Sequence, residues 1–412
     1  MTIAALELLT FGLGRLVTAA RESGHRLCLL TRDRAVYRHE LDRLPPDALD
    51  IVDVDTLDTA ACVTALGAVP DLAGLINSTD TFGVTGADAA AALGLPGPDP
   101  AAVRLVRDKY RVRTVLHGLG IGRVPAHRVA APYPAAASGV LRAVGLPAVL
   151  KDTAGTSSRA VWPVRDEPSL RAALAEAASV PLKGGLLAEP FLSGPVYSAE
   201  TLTWAGHTTL LGVTSRQMSP EPAVREEAAA FPVALDAAGH ARLERWVGGL
   251  LAAVGHDAGF AHTEFVRTTE GPELVEINRR IGGALVGEAL CRRLGTNVYT
   301  AEIDIALGRR PALLDAPPAA GPACGFVLVY APGTGTLAGW QGLDGLAAFP
   351  GDPRWYPTLA PGDRITALTD QRACTGILLT EGPTAELALH RALSAAGSVR
   401  PLLGPPAAAP PA

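Results

Sequence analysis

The sequence has few cysteines, and none stands close to another. Its five, Cys28, Cys62, Cys291, Cys324 and Cys374, are scattered over 412 residues with no CxxC pair and no Cys/His cluster. That spacing argues against a structural zinc site. The odd, dispersed set fits reduced thiols and a cytoplasmic setting better than a disulfide scaffold. No uncharged apolar run is long enough to cross a bilayer, so no membrane partner is expected. The opening MTIAALELLTFGLGRLVTAARESGH starts apolar but carries Glu7 early, and it lacks the basic n-region of a signal peptide. No basic face stands out in a chain of net charge −5, which argues against a nucleic-acid partner. There is no internal repeat.

What is present is apolar mass. Hydrophobic residues make up 48% and charged residues 19%, enough for large cores, and the length suggests two to four domains. Over residues 1–100, helical patterns alternate with strand-like runs: RLCLLT, then DIVDVDT, then GLINSTD ending at Asp80. That alternation predicts a parallel α/β domain with its ligand side at the strand C-termini. GLPGPDPAAV is a break. After it, AAVRLVRDKYRVRTVLHGLG reads as one helix, with Val103, Val106, Tyr110, Val115 and Leu116 near a 3.6 period. Downstream, GLPAVLKDTAGTSSRAVWPV and GGLLAEPFLSGPVYSAETLTW each read as strand, connection, strand. AAGHARLERWVGGLLAAVG is an amphipathic helix. The Pro/Ala-rich tail LLGPPAAAPPA is expected to fray.

HTEFVRTTEGPELVEINRRIGG, residues 262–283, carries the densest chemistry. A hairpin centred near Glu270 pairs Glu264 with Glu276, placing their Cβ atoms about 5 Å apart, with Asn278 on the same face. Like charges directly opposed repel unless a cation lies between them. Two carboxylates and an amide oxygen are hard donors suited to Mg²⁺ or Mn²⁺. The alternative is a hairpin with its charged face in water. Lys151, at the end of the apolar strand LPAVL, precedes the small-residue loop DTAGTSS. A lysine and loop N–H groups there can hold phosphate, although an ordinary turn has the same look. Lys109 in RDKYR reads by itself as part of a solvated helix face.

Together, and in this order along residues 70 to 300, these segments resemble the ATP-grasp superfamily. The resemblance implies an α/β fold in three parts: an N-terminal Rossmann-like domain over 1–100, a central lid subdomain over 101–187, and a C-terminal α+β domain over 188–412 whose terminal subdomain spans about 310–400. It implies ATP bound by Lys109, Lys151 and the loop residues Gly155, Thr156, Ser157 and Ser158, with Glu189, Phe191 and Leu192 at the adenine. It implies Mg²⁺ or Mn²⁺ on Glu264, Glu276 and Asn278, and catalytic roles for Lys151 and Arg280. Val196 stands where the family often has an acidic residue for the ribose, which leaves open whether Glu200 takes that contact. The group most resembled is that of bacterial L-amino-acid ligases. That likeness implies an amide bond formed between a carboxylic acid and an amine, both small molecules and amino acids by preference, through an acyl phosphate. It places Arg216, Glu226, Arg280 and Gly283 at substrate. A homodimer is common in the family. Competing readings are a bicarbonate-dependent carboxylase, a γ-glutamyl or other acid–amine ligase of natural-product biosynthesis, and a nucleotide-binding module without catalysis.

Overall fold

The computed structural model describes residues 1–131, 133–221, 223–315 and 321–404. The tail from 405 onward, expected to fray, lies outside the described residues.

The first four strands are β1 (Thr2–Leu6), β2 (Arg26–Thr31), β3 (Asp50–Asp53) and β4 (Leu72–Ile76). They pair in the order β3-β2-β1-β4, all parallel. Alternation sorts the side chains of β1 and β2 onto two faces. Ile3, Ala5, Leu27 and Leu29 join Leu13 and Leu16 of helix Leu13–Glu22 in one core. Ala4, Leu6, Cys28 and Leu30 join Cys62, Leu66 and Ala89 of helices Thr59–Gly67 and Gly83–Ala92 in the other. A sheet covered on both faces explains why β1 and β2 are apolar throughout rather than alternating.

The helix expected across residues 101–120 is two helices, Pro100–Arg107 and Lys109–Gly118. Asp108 is extended (φ −108, ψ 102) and its carboxylate accepts from the N–H groups of Tyr110 and Arg111, an N-cap that restarts the chain. Apolar periodicity runs through the break, so it hid the cap. Both helices pack on the C-terminal half: Val106, Val112 and Leu116 share a core with Val247 and Leu250 of helix Ala237–Ala253.

Strands β5 (His127–Val129), β6 (Ala148–Asp152), β7 (Val161–Val164) and β8 (Leu186–Pro190) form a small antiparallel sheet in the order β5-β8-β6-β7. Helices Ala137–Ala143 and Glu167–Ser179 back it. All of β8, on both sides of residue 187, belongs to this sheet.

The remaining strands are β9 (Val196–Trp204), β10 (His207–Met218), β11 (Glu226–Phe231), β12 (Gly259–Thr268), β13 (Gly271–Asn278), β14 (Ala323–Tyr330), β15 (Gly335–Gln341), β16 (Arg354–Pro357), β17 (Arg364–Ile365), β18 (Cys374–Gly382) and β19 (Arg400–Gly404). Eight of them make one antiparallel sheet, β13-β12-β9-β10-β11-β14-β18-β16, and β17-β15-β19 make a small one. Among the described residues no helix is long and apolar enough to cross a membrane.

Candidate active site

The hairpin register comes from two departures that cancel. The reversal is a two-residue turn at Thr269 and Glu270, which pairs Thr268 with Gly271 and Phe265 with Leu274. Continued regularly, it would set Glu264 against Val275. A bulge beyond Phe265 leaves Val275 unpaired and sets Glu264 directly opposite Glu276, with His262 opposite Asn278.

The two carboxylates are balanced by different cations. Lys109 Nζ lies 3.2 Å from Glu276 Oε2 and donates to the Gly155 carbonyl at 2.8 Å. The Asp108 cap places it there, and its backbone N–H bonds to Thr153 O at 2.9 Å. Glu264 pairs with Arg216 Nη1 and sits 3.4 Å from His262 Nε2. Burial alone would raise the Glu264 pKa, but Arg216 and His262 hold it far below the usual carboxylate range. Burial alone would lower His262, but Glu200 and Glu264 raise it to about 9, so the imidazole is charged at neutral pH.

Glu200 is fully engaged beneath the site. It accepts from Ser198 (2.8 Å), Thr214 (2.9 Å) and His262 Nδ1 (2.9 Å) and is 2% exposed. Of the two alternatives left open for Glu200, its burial and these hydrogen bonds favour no contact with a ribose.

A second buried group holds Lys151. Glu189 of β8 binds Lys151 Nζ with one oxygen and Arg113 Nε with the other at 3.0 Å, and all three side chains are nearly inaccessible. Arg113 Nη2 also donates to the carbonyls of Leu274 and Val275 on β13. One guanidinium thus ties helix Lys109–Gly118 to both sheets. Burial pulls Lys151 below the ordinary lysine pKa with Arg113 adding to it, while Glu189 acts the other way. The triad carries one net positive charge beside the cleft.

Arg280 is tethered to the N-terminal domain. Its Nε donates to Asp80 Oδ2 at 2.7 Å and its Nη2 lies 2.5 Å from the same oxygen. The Asn278 amide is 2.8 Å from Glu276 Oε1 and 3.1–3.2 Å from the Asp80 oxygens. With nitrogen turned toward them it donates to both acids; with oxygen turned toward them the three side chains present only oxygens, the donor set a hard cation takes. Among the described residues no three His, Cys, Asp or Glu side chains cluster as a ready metal nest. Glu264, Glu276 and the Asn278 amide still fit a magnesium-type ion by chemistry.

These groups open onto one cleft of about 810 Å³. It collects Lys109, Lys151, Gly155, Thr156, Ser157, Ser158, Glu189, Phe191, Leu192, Arg216, Glu226, Glu264, Glu276, Asn278, Arg280 and Gly283, and so brings together every expected site residue. Ser157, Ser158 and Ala160 of the small-residue loop take left-handed backbone (φ 53 to 58) without a glycine, a conformation that costs about 1–2 kcal/mol per residue. The Phe191 ring is covered by the Arg165 guanidinium 3.8 Å from its centroid.

Arg216 and Glu226, expected to meet a substrate carboxylate and ammonium, meet each other instead. Two contacts of 3.2 Å join them across β10 and β11. Both residues lie on strands, and at 10% and 8% side-chain exposure the two charges must pair. Sequence reasoning passed over Arg113 and His262 and left Asp80 undecided. His262 had a signal, since strand alternation puts it on the face of Glu264. Arg113 had none.

Residues 144–288 match the ATP-grasp domain and residues 327–403 match the L-amino acid ligase C-terminal domain 2. In structure the chain is similar to the L-amino acid ligase from Bacillus licheniformis, with a TM-score of 0.82 at 20% identity, covering 98% of this chain and 99% of that one. It is 28% identical over 381 residues to uncharacterized protein y4rH of Sinorhizobium fredii, covering 89% of this chain and 76% of that protein. It is 27% identical over 256 residues to human carnosine synthase 1, covering 56% of this chain and 30% of that larger protein, so it spans less than a third of that relative. The chain thus carries an ATP-grasp domain followed by an L-amino acid ligase C-terminal domain. That combination is that of an L-amino acid ligase-like ATP-grasp carboxylate–amine ligase, a carbon–nitrogen bond-forming enzyme.

Proposed function

We propose that this enzyme uses ATP to join the carboxylate of one amino acid to the amine of another, through an acyl phosphate. The observation that carries the reading is the facing pair Glu264 and Glu276, with Lys109, Lys151 and Arg280 on the same cleft. Two acids face one another where three cations converge, as polyphosphate with a counter-ion requires. Lys109, Lys151 and the N–H groups of Gly155 to Ser158 bind and orient phosphates. Glu189, Phe191 and Leu192 border the adenine. Glu264, Glu276 and Asn278 would hold Mg²⁺ or Mn²⁺, which when bound offsets phosphate charge.

The acid's oxygen attacks the γ-phosphorus, the bond to the β-phosphate oxygen breaks, and ADP leaves. The neutral amine then adds to the acyl carbon, the tetrahedral intermediate expels phosphate, and an amide forms as the nitrogen gives up its proton. Arg280, oriented by Asp80, donates to the oxyanion and to the departing phosphate. Arg216 stays on Glu226 and Glu264 and shapes the wall; Gly283, where an added Cβ would meet nothing within 4 Å, leaves room for substrate.

The test is a phosphate-release screen over pairs of amino acids, with mass spectrometry of the products. ADP formation that requires both partners, with a product lighter than their sum by one water, is expected. ADP release driven by bicarbonate alone, or tight ATP binding with no release across the panel, would overturn it.

A further inference from the structure

Arg279 and Arg280 are neighbours with different destinations. Arg280 borders both the ATP cleft and a second cavity of about 360 Å³, while Arg279 lines the second cavity alone. Leu75, Ile76, Ala87, Val103, Phe260 and Ile305 give this cavity an apolar body.

Arg279 is held in position. Its Nε donates to His256 Nδ1 at 3.0 Å, and His256 Nε2 lies 3.1 Å from the Gly259 carbonyl. Burial, with the Arg279 charge, pushes the imidazole down to about 3, so it is neutral and carries its proton on Nε2. The guanidinium is then left short of acceptors. Nη1 is enclosed without a partner, and Nη2 has none among the described residues. Asp257 and Asp99 act on it only through space.

The cavity's lining also includes Asp80, Arg107, Lys109, Glu276, Asn278 and Arg280, and Glu302 joins it from helix Tyr299–Ala306. Glu302 is 9% exposed and has no hydrogen-bond partner among the described residues. Burial alone pushes its carboxyl up to about 7. An unmatched buried polar group costs about 1–3 kcal/mol, and a native fold seldom keeps one without a reason. Here Arg279 Nη1 is such a group, and the Glu302 carboxylate, with no partner among the described residues, borders the same cavity.

We propose that this cavity is a second ligand site that binds a small zwitterion with an apolar body, a free amino acid or a short peptide, with its carboxylate on Arg279 and its ammonium on Glu302. The site adjoins the ATP cleft, with which it shares Thr79, Asp80, Lys109, Glu276, Asn278 and Arg280, but it does not depend on the ligase reading. An occupant would sit one residue from both Asn278 and Arg280, on the chain segment that carries the proposed metal ligand and phosphate contact.

The test is titration calorimetry of the full chain without ATP, using L-leucine, Leu-Leu, L-leucinamide and N-acetyl-L-leucine as probes. Binding of L-leucine or Leu-Leu is expected, and comparing the two separates a free amino acid from a peptide. Blocking either charged end should weaken binding about tenfold or more. Arg279→Gln should weaken the parent ligand similarly and remove the extra cost of amidation. Glu302→Gln, nearly isosteric, should do the same for acetylation. If Arg279→Gln does not fold, Glu302→Gln and the blocked ligands still decide the matter. No binding of any probe to the wild type, or unchanged affinity in the variants, overturns the proposal.

Discussion

Glu264 stands directly across β12 and β13 from Glu276, yet the two answer to different parts of the chain. Glu264 is matched within the large sheet by Arg216 and His262, whereas Glu276 is matched by Lys109 from a helix that begins at a cap. Like charges facing each other in a sheet are destabilising, so the pair persists because each acid has its own cation. Glu276→Gln should therefore lower ADP formation about 100-fold or more, the scale of losing a phosphate-charge ligand. The fold should survive, since Lys109 keeps the Gly155 carbonyl. Turnover assays beside a thermal melt check this; near-normal turnover would refute the metal role.

Arg113 should prove structurally dearer than either acid. Arg113→Met leaves Glu189 with Lys151 alone and strips the carbonyls of Leu274 and Val275 of their donor. Breaking a buried ion pair costs about 3–5 kcal/mol. We expect a denaturation midpoint shifted by that amount, and weaker ATP binding as Glu189, the anchor of Lys151, loses its second cation. Arg113→Lys should recover little, because one ammonium cannot reach Glu189 and two carbonyls in a fixed fork. Urea unfolding of both variants is the measurement, and a shift under about 1 kcal/mol would refute the tie.

What the sequence made legible was local. Strand alternation and spacing placed Glu264, Glu276 and Asn278 on one face, and the observed register agrees even though the turn is one residue tighter and a bulge restores the pairing. The parallel domain was legible because buried strands read as apolar runs. The break at Asp108 was not, because Val103, Val106, Tyr110 and Leu116 keep their period across it while the cap is a single residue. Arg113 was invisible for a different reason. A charge on a helix is usually solvated, and only the tertiary fold brings Glu189 and β13 to it. The Arg216–Glu226 pair misled for the same reason, since two charges that look free in sequence are neighbours on adjacent strands.

Asp80 should act on catalysis through Arg280. Asp80→Ala removes both of its contacts to the guanidinium and leaves Arg280 with the Ile281 carbonyl. A misplaced charge at a reacting phosphate costs about 10- to 100-fold. We expect that loss in kcat with little change in KM for ATP, because Lys109 and Lys151 are untouched. Steady-state kinetics with ATP varied at saturating amino acids separates the two constants. A large rise in KM with unchanged kcat would assign Asp80 to ground-state binding instead.

Glu302 gives a pH dependence of defined sign. Its folded carboxyl titrates at about 7 against an ordinary value of 4.5, raised by burial alone. The folded state therefore holds its proton more tightly than the unfolded state, so unfolding releases protons between these values and stability falls as pH rises. Below 4.5 there is no penalty, and above 7 it reaches about 3 kcal/mol. His256, on the same cavity, titrates at about 3 and stays neutral throughout this window. Glu302→Gln removes the group that charges. The variant should match wild type near pH 4 and exceed it by about 3 kcal/mol near pH 8, which chemical denaturation at the two pH values will measure. Parallel stability curves for the two proteins across that range would show that Glu302 finds a partner when charged.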